Sequence, residues 1–443
     1  MYFRLTHYGW MVTRQLANSG QLHLGANPQG DLLLELWTGT HVPAIDVSMY
    51  SELLVDGLIE EIDEIVSQED TRLRYQRNPF EHLTKIIFQF TTYCNFNCEH
   101  CYNGLVPRQT EIRLDLLMAT AETFLQMGIR RFDFVGGEVS RYGDGWLVLV
   151  KHIHALDEEA KISLYTNGWW LDQTNFLAAG KTYPDSLAYL DDLKAHGVTH
   201  VTFSLDGQGK IHDSSRGQPG LYQRIIQGLE LVKRAGLESR VSLLLRPEWD
   251  GAQVENFLTE PATIIYDLDP QAPAYKRALR LSLDPFNAIS NFIDIGNGAK
   301  DERLQFPILD ERSHALYCRN FYRLSPSLTI KANGELATCR LATAGEGYGN
   351  LHHKSLVEII NHFDDTFVYR LHAERRLEEY LPLVDRTLFG EQFTHLCALR
   401  AIVTLLARKM DEQGVSFDDT TAIQRINQEV ANETGHFHQD RHG

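Results

Sequence analysis

The sequence predicts an α/β fold: a partial (β/α)6 TIM-like barrel with a small N-terminal α+β domain before it and a C-terminal module built on a β-hairpin after it. Three observations predict this. Between Thr84 and about Pro285, short apolar runs rich in Ile, Phe and Val alternate with longer segments of helical period, the pattern of parallel strands joined by crossover helices. Four successive strands in that stretch deliver polar residues at their carboxyl ends, where sites gather in such sheets. Farther along, Asn333-Gly334 separates two alternating runs, the strongest short-range hairpin signal.

Taken in order, residues 1–80 form the small N-terminal unit. Tyr2 to Thr6, Leu22 to Leu24 and Asp31 to Thr38 read as short strands, the last two joined by Asn27-Pro-Gln-Gly30. Ser48 to Ser67 then reads as a helix, with Leu53, Leu54, Ile59 and Ile62 among its apolar positions. In the barrel, residues 84–300, strands are expected at Ile86 to Phe90, Phe132 to Val135, Ile162 to Tyr165, Val198 to Ser204, Arg240 to Arg246 and Leu279 to Leu283. Helices are expected at Leu114 to Gln126, Trp146 to Leu156, Pro184 to Ala195 and Leu221 to Ala235. Six such units leave the barrel open on one side, with room for a large substrate.

Residues 286 to 312 bridge to the hairpin module, placed at 305–400. There Ser327 to Ala332, the Asn333-Gly334 turn and Glu335 to Cys339 form the hairpin, followed by Gly347-Tyr-Gly-Asn-Leu351 and a helix-like Ser355 to Phe363. A helix begins after Ala398, and residues 401–443 end in a polar tail. Its His436, His438 and His442 are expected to lie in disordered chain rather than on a metal.

With 443 residues, 43% of them hydrophobic, the chain has enough apolar surface for about three structural units. No run approaches the roughly eighteen apolar residues of a membrane span, and no secretory apolar region opens the sequence, so a cytoplasmic protein is expected. In that reducing compartment, clustered cysteines read as metal ligands rather than disulfides. A formal net charge of −17 argues against nonspecific binding to nucleic acid, which depends on lysine and arginine neutralising phosphates. Peptides and small molecules remain as substrates.

Chemistry concentrates in Thr92-Tyr-Cys-Asn-Phe-Asn-Cys-Glu-His-Cys-Tyr102, directly after the strand Lys85 to Thr91. Its C-x3-C-x2-C spacing lets Cys94, Cys98 and Cys101 hold one face of a four-iron cluster while supplying no fourth ligand. The open iron suits chelation by the amine and carboxylate of an amino acid such as the methionine part of S-adenosylmethionine. A zinc knuckle of the three cysteines and His100 is the competing reading. Downstream, Arg131-Phe-Asp-Phe-Val-Gly-Gly-Glu138 runs a strand into two glycines, which permit close approach of a ligand, and a carboxylate able to accept from an ammonium. Lys161-Ile-Ser-Leu-Tyr-Thr-Asn-Gly168 and His200-Val-Thr-Phe-Ser-Leu-Asp-Gly207 end similarly.

Together the cysteine loop, the Gly-Gly-Glu, the Thr-Asn-Gly and the Ser-Leu-Asp-Gly resemble the radical S-adenosylmethionine (radical SAM) enzymes. The stretch Ser204-Leu-Asp-Gly-Gln-Gly-Lys-Ile-His-Asp-Ser-Ser-Arg-Gly217 is similar to the strand-four signature of the branch with a SPASM or twitch extension. The resemblance covers about residues 84 to 400. It implies a 4Fe-4S cluster on Cys94, Cys98 and Cys101 that binds S-adenosylmethionine, with Gly136, Gly137 and Glu138 at the methionine amine and Tyr102 beside the adenine. Thr166, Asn167, Ser204 and Asp206 would line the ribose and carboxylate side, and Arg246 would pair with the methionine carboxylate or stand solvated at its strand end. Where the family often has proline after Gly-Gly-Glu, this chain has Val139.

Likewise the hairpin passage resembles the auxiliary-cluster module of twitch and SPASM proteins. Only Cys318, Cys339 and Cys397 remain for it, so two auxiliary clusters lack ligands. One second, auxiliary Fe-S cluster is expected on these three. Buried core thiols, or a hydrogen-donating thiol, are the other readings. The resemblance further implies reductive cleavage of S-adenosylmethionine and hydrogen abstraction from a ribosomally made precursor peptide, leading to a crosslink, an epimerisation or backbone excision. It also implies an electron donor such as flavodoxin or ferredoxin. Residues 1–80, as three strands followed by a helix, loosely resemble leader-peptide recognition domains, alternatively a barrel cap, and a separate leader-binding protein is a further expected partner. A small-molecule radical dehydrogenase or rearrangement enzyme, and a non-catalytic iron–sulfur or zinc scaffold, are the rival readings.

Overall fold

A computed structural model describes residues 2–25, 27–39, 41–43, 47–65, 67, 80, 83–98, 101, 112–243, 327–337, 347–373, 376–389 and 396–439. The expected strand Leu279 to Leu283 and the bridge 286 to 312 lie outside the described residues. So do Tyr102, Arg246, Cys318, Cys339, His100 and His442.

An α/β architecture with a mostly parallel central sheet is what the chain adopts. Its strands are β4 (Lys85–Thr91), β5 (Arg131–Gly136), β6 (Lys161–Thr166), β9 (His200–Leu205) and β10 (Glu238–Leu243), with β11 (Ser327–Ile330), β12 (Glu335–Ala337) and β13 (Gly349–Asn350) beyond β4, while β7 (Phe176–Ala178) and β8 (Lys181–Tyr183) pair antiparallel as a separate two-stranded sheet. The order is β10-β9-β6-β5-β4-β11-β12-β13. From β10 to β11 every pairing is parallel, so the carboxyl ends of β4, β5, β6 and β9 line one edge. The hairpin strand β11 joins this sheet in register with β4, Ser327 opposite Lys85 and Ile330 opposite Phe88. Gly334, at φ +80°, supplies the left-handed conformation that closes the hairpin, and its N–H donates to the Lys331 carbonyl at 2.8 Å.

Helices cover the sheet because their apolar residues recur at helical spacing. In α4 (Leu114–Gln126), Leu117, Thr120, Ala121 and Phe124 are buried; in α5 (Gly145–Leu156), Trp146, Leu149, Val150 and Ile153. The helices α6 (Ser186–His196) and α8 (Leu221–Arg234) follow the same rule, the latter through Leu221, Ile225, Leu229 and Val232. Asp185 caps α6 by accepting from the Ala188 N–H. One continuous apolar core fills the space between these helices and the strands, including Phe88, Phe132, Phe134, Leu164 and Phe203.

At the N-terminus the arrangement differs from expectation. β1 (Tyr2–Leu5) forms as predicted, but α1 (His7–Asn18) and α2 (Pro28–Thr38) follow it, so Leu22 to Leu24 form no strand and Asp31 to Thr38 are helical. Asn27 accepts from the Gly30 N–H at 2.7 Å as N-cap and Pro28 occupies the first turn, while Leu32, Leu33 and Leu36 share the buried face. The predicted helix Ser48 to Ser67 ends early: α3 is only Ser51–Val55, stopped at Asp56-Gly57, and Ile59–Ile62 becomes β3, antiparallel to β1. Val42–Pro43 is β2, giving a sheet β2-β1-β3 with helices interleaved, not three strands followed by a helix. This unit packs on the central domain: Tyr8 N–H donates to Asn361 Oδ1 at 2.9 Å, and the Tyr8 hydroxyl donates to Gln126 Oε1 at 2.5 Å.

Toward the C-terminus, Ser355 caps α9 (Leu356–Asn361) in a reciprocal box with Glu358. A separate helical core follows, in which α10 (Phe367–Ala373), α11 (Leu377–Tyr380), α12 (Leu396–Glu412) and α13 (Thr420–Gln439) pack through Leu377, Val403, Leu406, Ile426 and Val430. The expected disordered tail is therefore helical through His436 and His438. Ile423, Ile426 and Val430 recur at helical spacing and hold α13 in this core.

Candidate functional site

Four adjacent strand ends build one site. The cysteine loop leaves β4 at Thr91, whose hydroxyl accepts from the Tyr93 N–H at 3.0 Å. Gly136 and Gly137, at the end of β5, lie flat against this loop. The Gly137 N–H donates to the Thr91 carbonyl at 2.8 Å and the Glu138 N–H to the Tyr93 carbonyl at 2.7 Å. A Cβ on Gly137 would fall 1.9 Å from the Tyr93 carbonyl oxygen, and one on Gly136 2.4 Å from that of Thr91. Here the glycines are required by the approach of two backbones. Cys94 and Cys101 are half-buried and Cys98 is buried.

Glu138, 1% exposed, sits at the centre of a hydrogen-bonded network rather than at an open surface. Its carboxylate accepts from the Ser140 hydroxyl at 2.5 Å, the Thr166 hydroxyl at 3.0 Å and the Asn167 N–H at 2.8 Å. Both hydroxyls are themselves acceptors, Ser140 from the Trp169 indole at 2.8 Å and Thr166 from the Trp170 indole at 3.2 Å. Each therefore points its hydrogen at Glu138. Burial pushes the Glu138 carboxyl upward, against the pull of Asn167, Ser140 and Thr166. Asn167 carries the network onward to the cysteine loop, its side-chain amide donating to Asn95 Oδ1 at 3.0 Å and to Cys94 Sγ at 3.6 Å.

On the other flank, Asp206 follows β9 and is also 1% exposed. Arg216, closing the short helix α7 (Lys210–Arg216), grips it in a fork, Nε to Oδ2 at 2.5 Å and Nη2 to Oδ1 at 2.7 Å. Ser215 Oγ adds a bond to Asp206 Oδ2 at 3.2 Å. The Arg216 guanidinium also acts on Cys98, pulling its thiol downward against burial, so this one charge serves both Asp206 and the cysteine loop. Its own pKa is raised: burial opposes the charge, but Asp206 outweighs it. Ser204 is half-buried in β9, opposite Ser242 of β10.

Thus the expected residues Cys94, Cys98, Cys101, Gly136, Gly137, Glu138, Thr166, Asn167, Ser204 and Asp206 all lie at or beside one sheet edge. Sequence reasoning missed Arg216, Ser140, Trp169 and Asn95. Arg216 sits inside the Ser204 to Gly217 stretch, where an arginine ten residues after Asp206 was the available signal. Cys397 stands at the start of α12, far along the chain from this edge.

Electrostatically the loop is poorly suited to bare thiolates. Burial pushes the Cys94 thiol up to about 12; its Phe96 hydrogen bond pulls the other way, while Glu138, Cys98 and Cys101 raise it further. Cys98 is raised by burial despite Arg216. Cys94 and Cys98, so placed, become thiolates when a cationic metal offsets both penalties. Three cysteines on one loop supply three thiolate ligands and no fourth, the donor set of a cubane with one iron left open.

Residues 88–259 match the family described as Radical SAM superfamily. The chain is 26% identical over 160 residues to the AdoMet-dependent heme synthase of Nitratidesulfovibrio vulgaris, covering 35% of this chain and 39% of that protein. It is 22% identical over 303 residues to the antilisterial bacteriocin subtilosin biosynthesis protein AlbA of Bacillus subtilis, covering 64% of this chain and 61% of that protein. The chain therefore spans less than two thirds of the length of these relatives. Among solved structures, that of Streptococcus suis SuiB bound to S-adenosylmethionine is similar with a TM-score of 0.44 and 14% identity, covering 80% of this chain and 83% of that one.

Proposed function

We propose that this chain is a radical SAM enzyme, as the match over residues 88–259 supports, and that it cleaves S-adenosylmethionine reductively to modify a ribosomally made precursor peptide. The observation that carries the reading is the single sheet edge on which Cys94, Cys98 and Cys101 meet the Glu138 and Asp206 networks. Cys94, Cys98 and Cys101 would hold a 4Fe-4S cluster. When bound, it supplies the electron that splits S-adenosylmethionine into methionine and a 5′-deoxyadenosyl radical. The chain's own part is positional. Gly136 and Gly137 fix the cysteine loop by backbone contact, Glu138 ties that loop to β6, and Arg216 places a fixed positive charge between Asp206 and Cys98.

The finer architecture belongs to the same proposal. The parallel strands are read as a partial (β/α)6 barrel, and residues 305–400 as a twitch-like module carrying an auxiliary cluster on Cys318, Cys339 and Cys397. A peptide substrate is supported by the similarity to the subtilosin biosynthesis protein, which extends over 303 residues. Similarity to the heme synthase is confined to 160 residues, and favours the second reading, a small-molecule substrate. Flavodoxin or ferredoxin would reduce the cluster in the cytoplasm, and a separate leader-binding protein would deliver the peptide. Among the described residues no helix is long and apolar enough to cross a membrane.

Anaerobic co-expression with the short precursor gene expected beside its own, followed by mass analysis of the peptide, tests the proposal. A mass change that depends on Cys94 supports it. Release of 5′-deoxyadenosine with an unmodified peptide would turn the reading to a small molecule.

A further inference from the structure

We propose that Asn167 is a positioning residue that donates a hydrogen bond to the Cys94 sulfur and thereby raises the reduction potential of the cluster; this rests on the cluster reading above. The orientation of its amide is determined by a neighbour. The backbone N–H of Trp169 can only donate, and it reaches Asn167 Oδ1 at 2.9 Å, so the nitrogen of that amide must face the cysteine loop. There its two hydrogens are directed to Asn95 Oδ1 at 3.0 Å and Cys94 Sγ at 3.6 Å. The backbone N–H of Asn167 is held by Glu138 at 2.8 Å, and the residue is 5% exposed.

Pinned in this way, Asn167 has both amide hydrogens and its oxygen engaged within the protein. This differs from the ribose-side role that its motif implies. An N–H aimed at a ligating thiolate withdraws electron density from sulfur and favours the more negative, reduced cluster, which raises the potential. Low local dielectric strengthens the effect. Among the described residues Cys94 receives one other N–H, from the backbone of Phe96 at 3.4 Å. A side-chain change at position 167 therefore removes one donor and leaves the other.

The test is an EPR-monitored redox titration of the reconstituted holoenzyme without S-adenosylmethionine, comparing wild type with Asn167→Ala and Asn167→Asp. Alanine removes the donor; aspartate keeps the acceptor for Trp169 while replacing the N–H by negative charge. The midpoint should shift to more negative potential in Asn167→Ala and further in Asn167→Asp, at unchanged iron content. An unchanged midpoint in both overturns the proposal. Pulsed EPR of reduced protein carrying asparagine labelled with 15N at the side-chain amide is the second measurement: a 15N coupling to the cluster is expected in wild type and should weaken in Asn167→Ala, and the absence of any coupling in wild type overturns the proposal even if both variants lose iron. Wild-type protein that takes up no iron at all would sink the cluster reading and this inference together, whereas a normal cluster without the coupling sinks the inference alone.

Discussion

Gly137→Ala probes how the cysteine loop is held. The added Cβ would lie 1.9 Å from the Tyr93 carbonyl oxygen, 2.2 Å from its carbon and 2.8 Å from the Cys94 nitrogen, all backbone atoms that no rotamer change can move. To restore an ordinary contact of about 3.4 Å, the two segments must separate by roughly 1.5 Å. That breaks the Gly137 to Thr91 and Glu138 to Tyr93 hydrogen bonds, now 2.8 and 2.7 Å. Leaving these buried groups unpaired costs about 1–3 kcal/mol each, so roughly 2–6 kcal/mol in all. Cys94 is displaced with the loop. Gly145→Ala serves as control, since its Cβ would meet only the Phe90 ring at 3.7 Å. Iron content after anaerobic reconstitution and urea unfolding are the assays. Gly137→Ala should lose most of its iron and several kcal/mol of stability while Gly145→Ala keeps both. Wild-type iron and stability in Gly137→Ala would refute the backbone-approach account.

Three further outcomes are expected. Glu138→Gln turns an NH2 toward groups that all donate to Glu138, which should cost about 1–3 kcal/mol for each donor left unpaired and be visible as a lower urea midpoint. Arg216→Met leaves the Asp206 carboxylate buried without its partner, and should destabilise by about 3–5 kcal/mol, with the double variant Asp206→Asn/Arg216→Met recovering part of the loss in a mutant cycle. His200, whose Nε2 lies 2.7 Å from Glu238 Oε2, is held below its ordinary value of 6.5 by burial and Arg240, with Glu238 opposing. A lowered folded pKa means the unfolded chain binds more protons, so this residue's contribution to stability is full above about pH 6.5 and falls as pH drops below it; the wild-type urea midpoint should fall over that window more than that of His200→Gln.

How much of this was legible depends on whether the signal is local. The strands β4, β5, β6 and β9 and the helices α4, α5, α6 and α8 were readable because each carries its own period, as Leu117, Ala121 and Phe124 do in α4, whereas the three-residue strands Phe176–Ala178 and Lys181–Tyr183 and the seven-residue α7 are too short to show one. The hairpin was readable from two residues, Asn333 and Gly334. Asp31-Leu-Leu-Leu-Glu-Leu36 was misread because a short apolar run fits either strand or helix, and the cap at Asn27 with Pro28 behind it was the deciding feature. Asp56-Gly57 likewise ends α3 where apolar spacing alone would continue it. At the site, residue types and spacing pointed to Cys94, Cys98, Cys101, Glu138 and Asp206, but not to what these touch. Asn167 and Cys94 are 73 residues apart in sequence, and their contact follows only from β4, β5 and β6 lying side by side. For the same reason Glu138 looked like an open acceptor, although Ser140, Thr166 and Asn167 already surround it.

The central claim is tested most directly by the EPR spectrum of anaerobically reconstituted, reduced protein before and after S-adenosylmethionine is added. The account predicts a 4Fe-4S signal that changes on addition, release of 5′-deoxyadenosine, and loss of both in Cys94→Ala. Zinc without a cubane signal, or a cubane signal indifferent to S-adenosylmethionine, would contradict it.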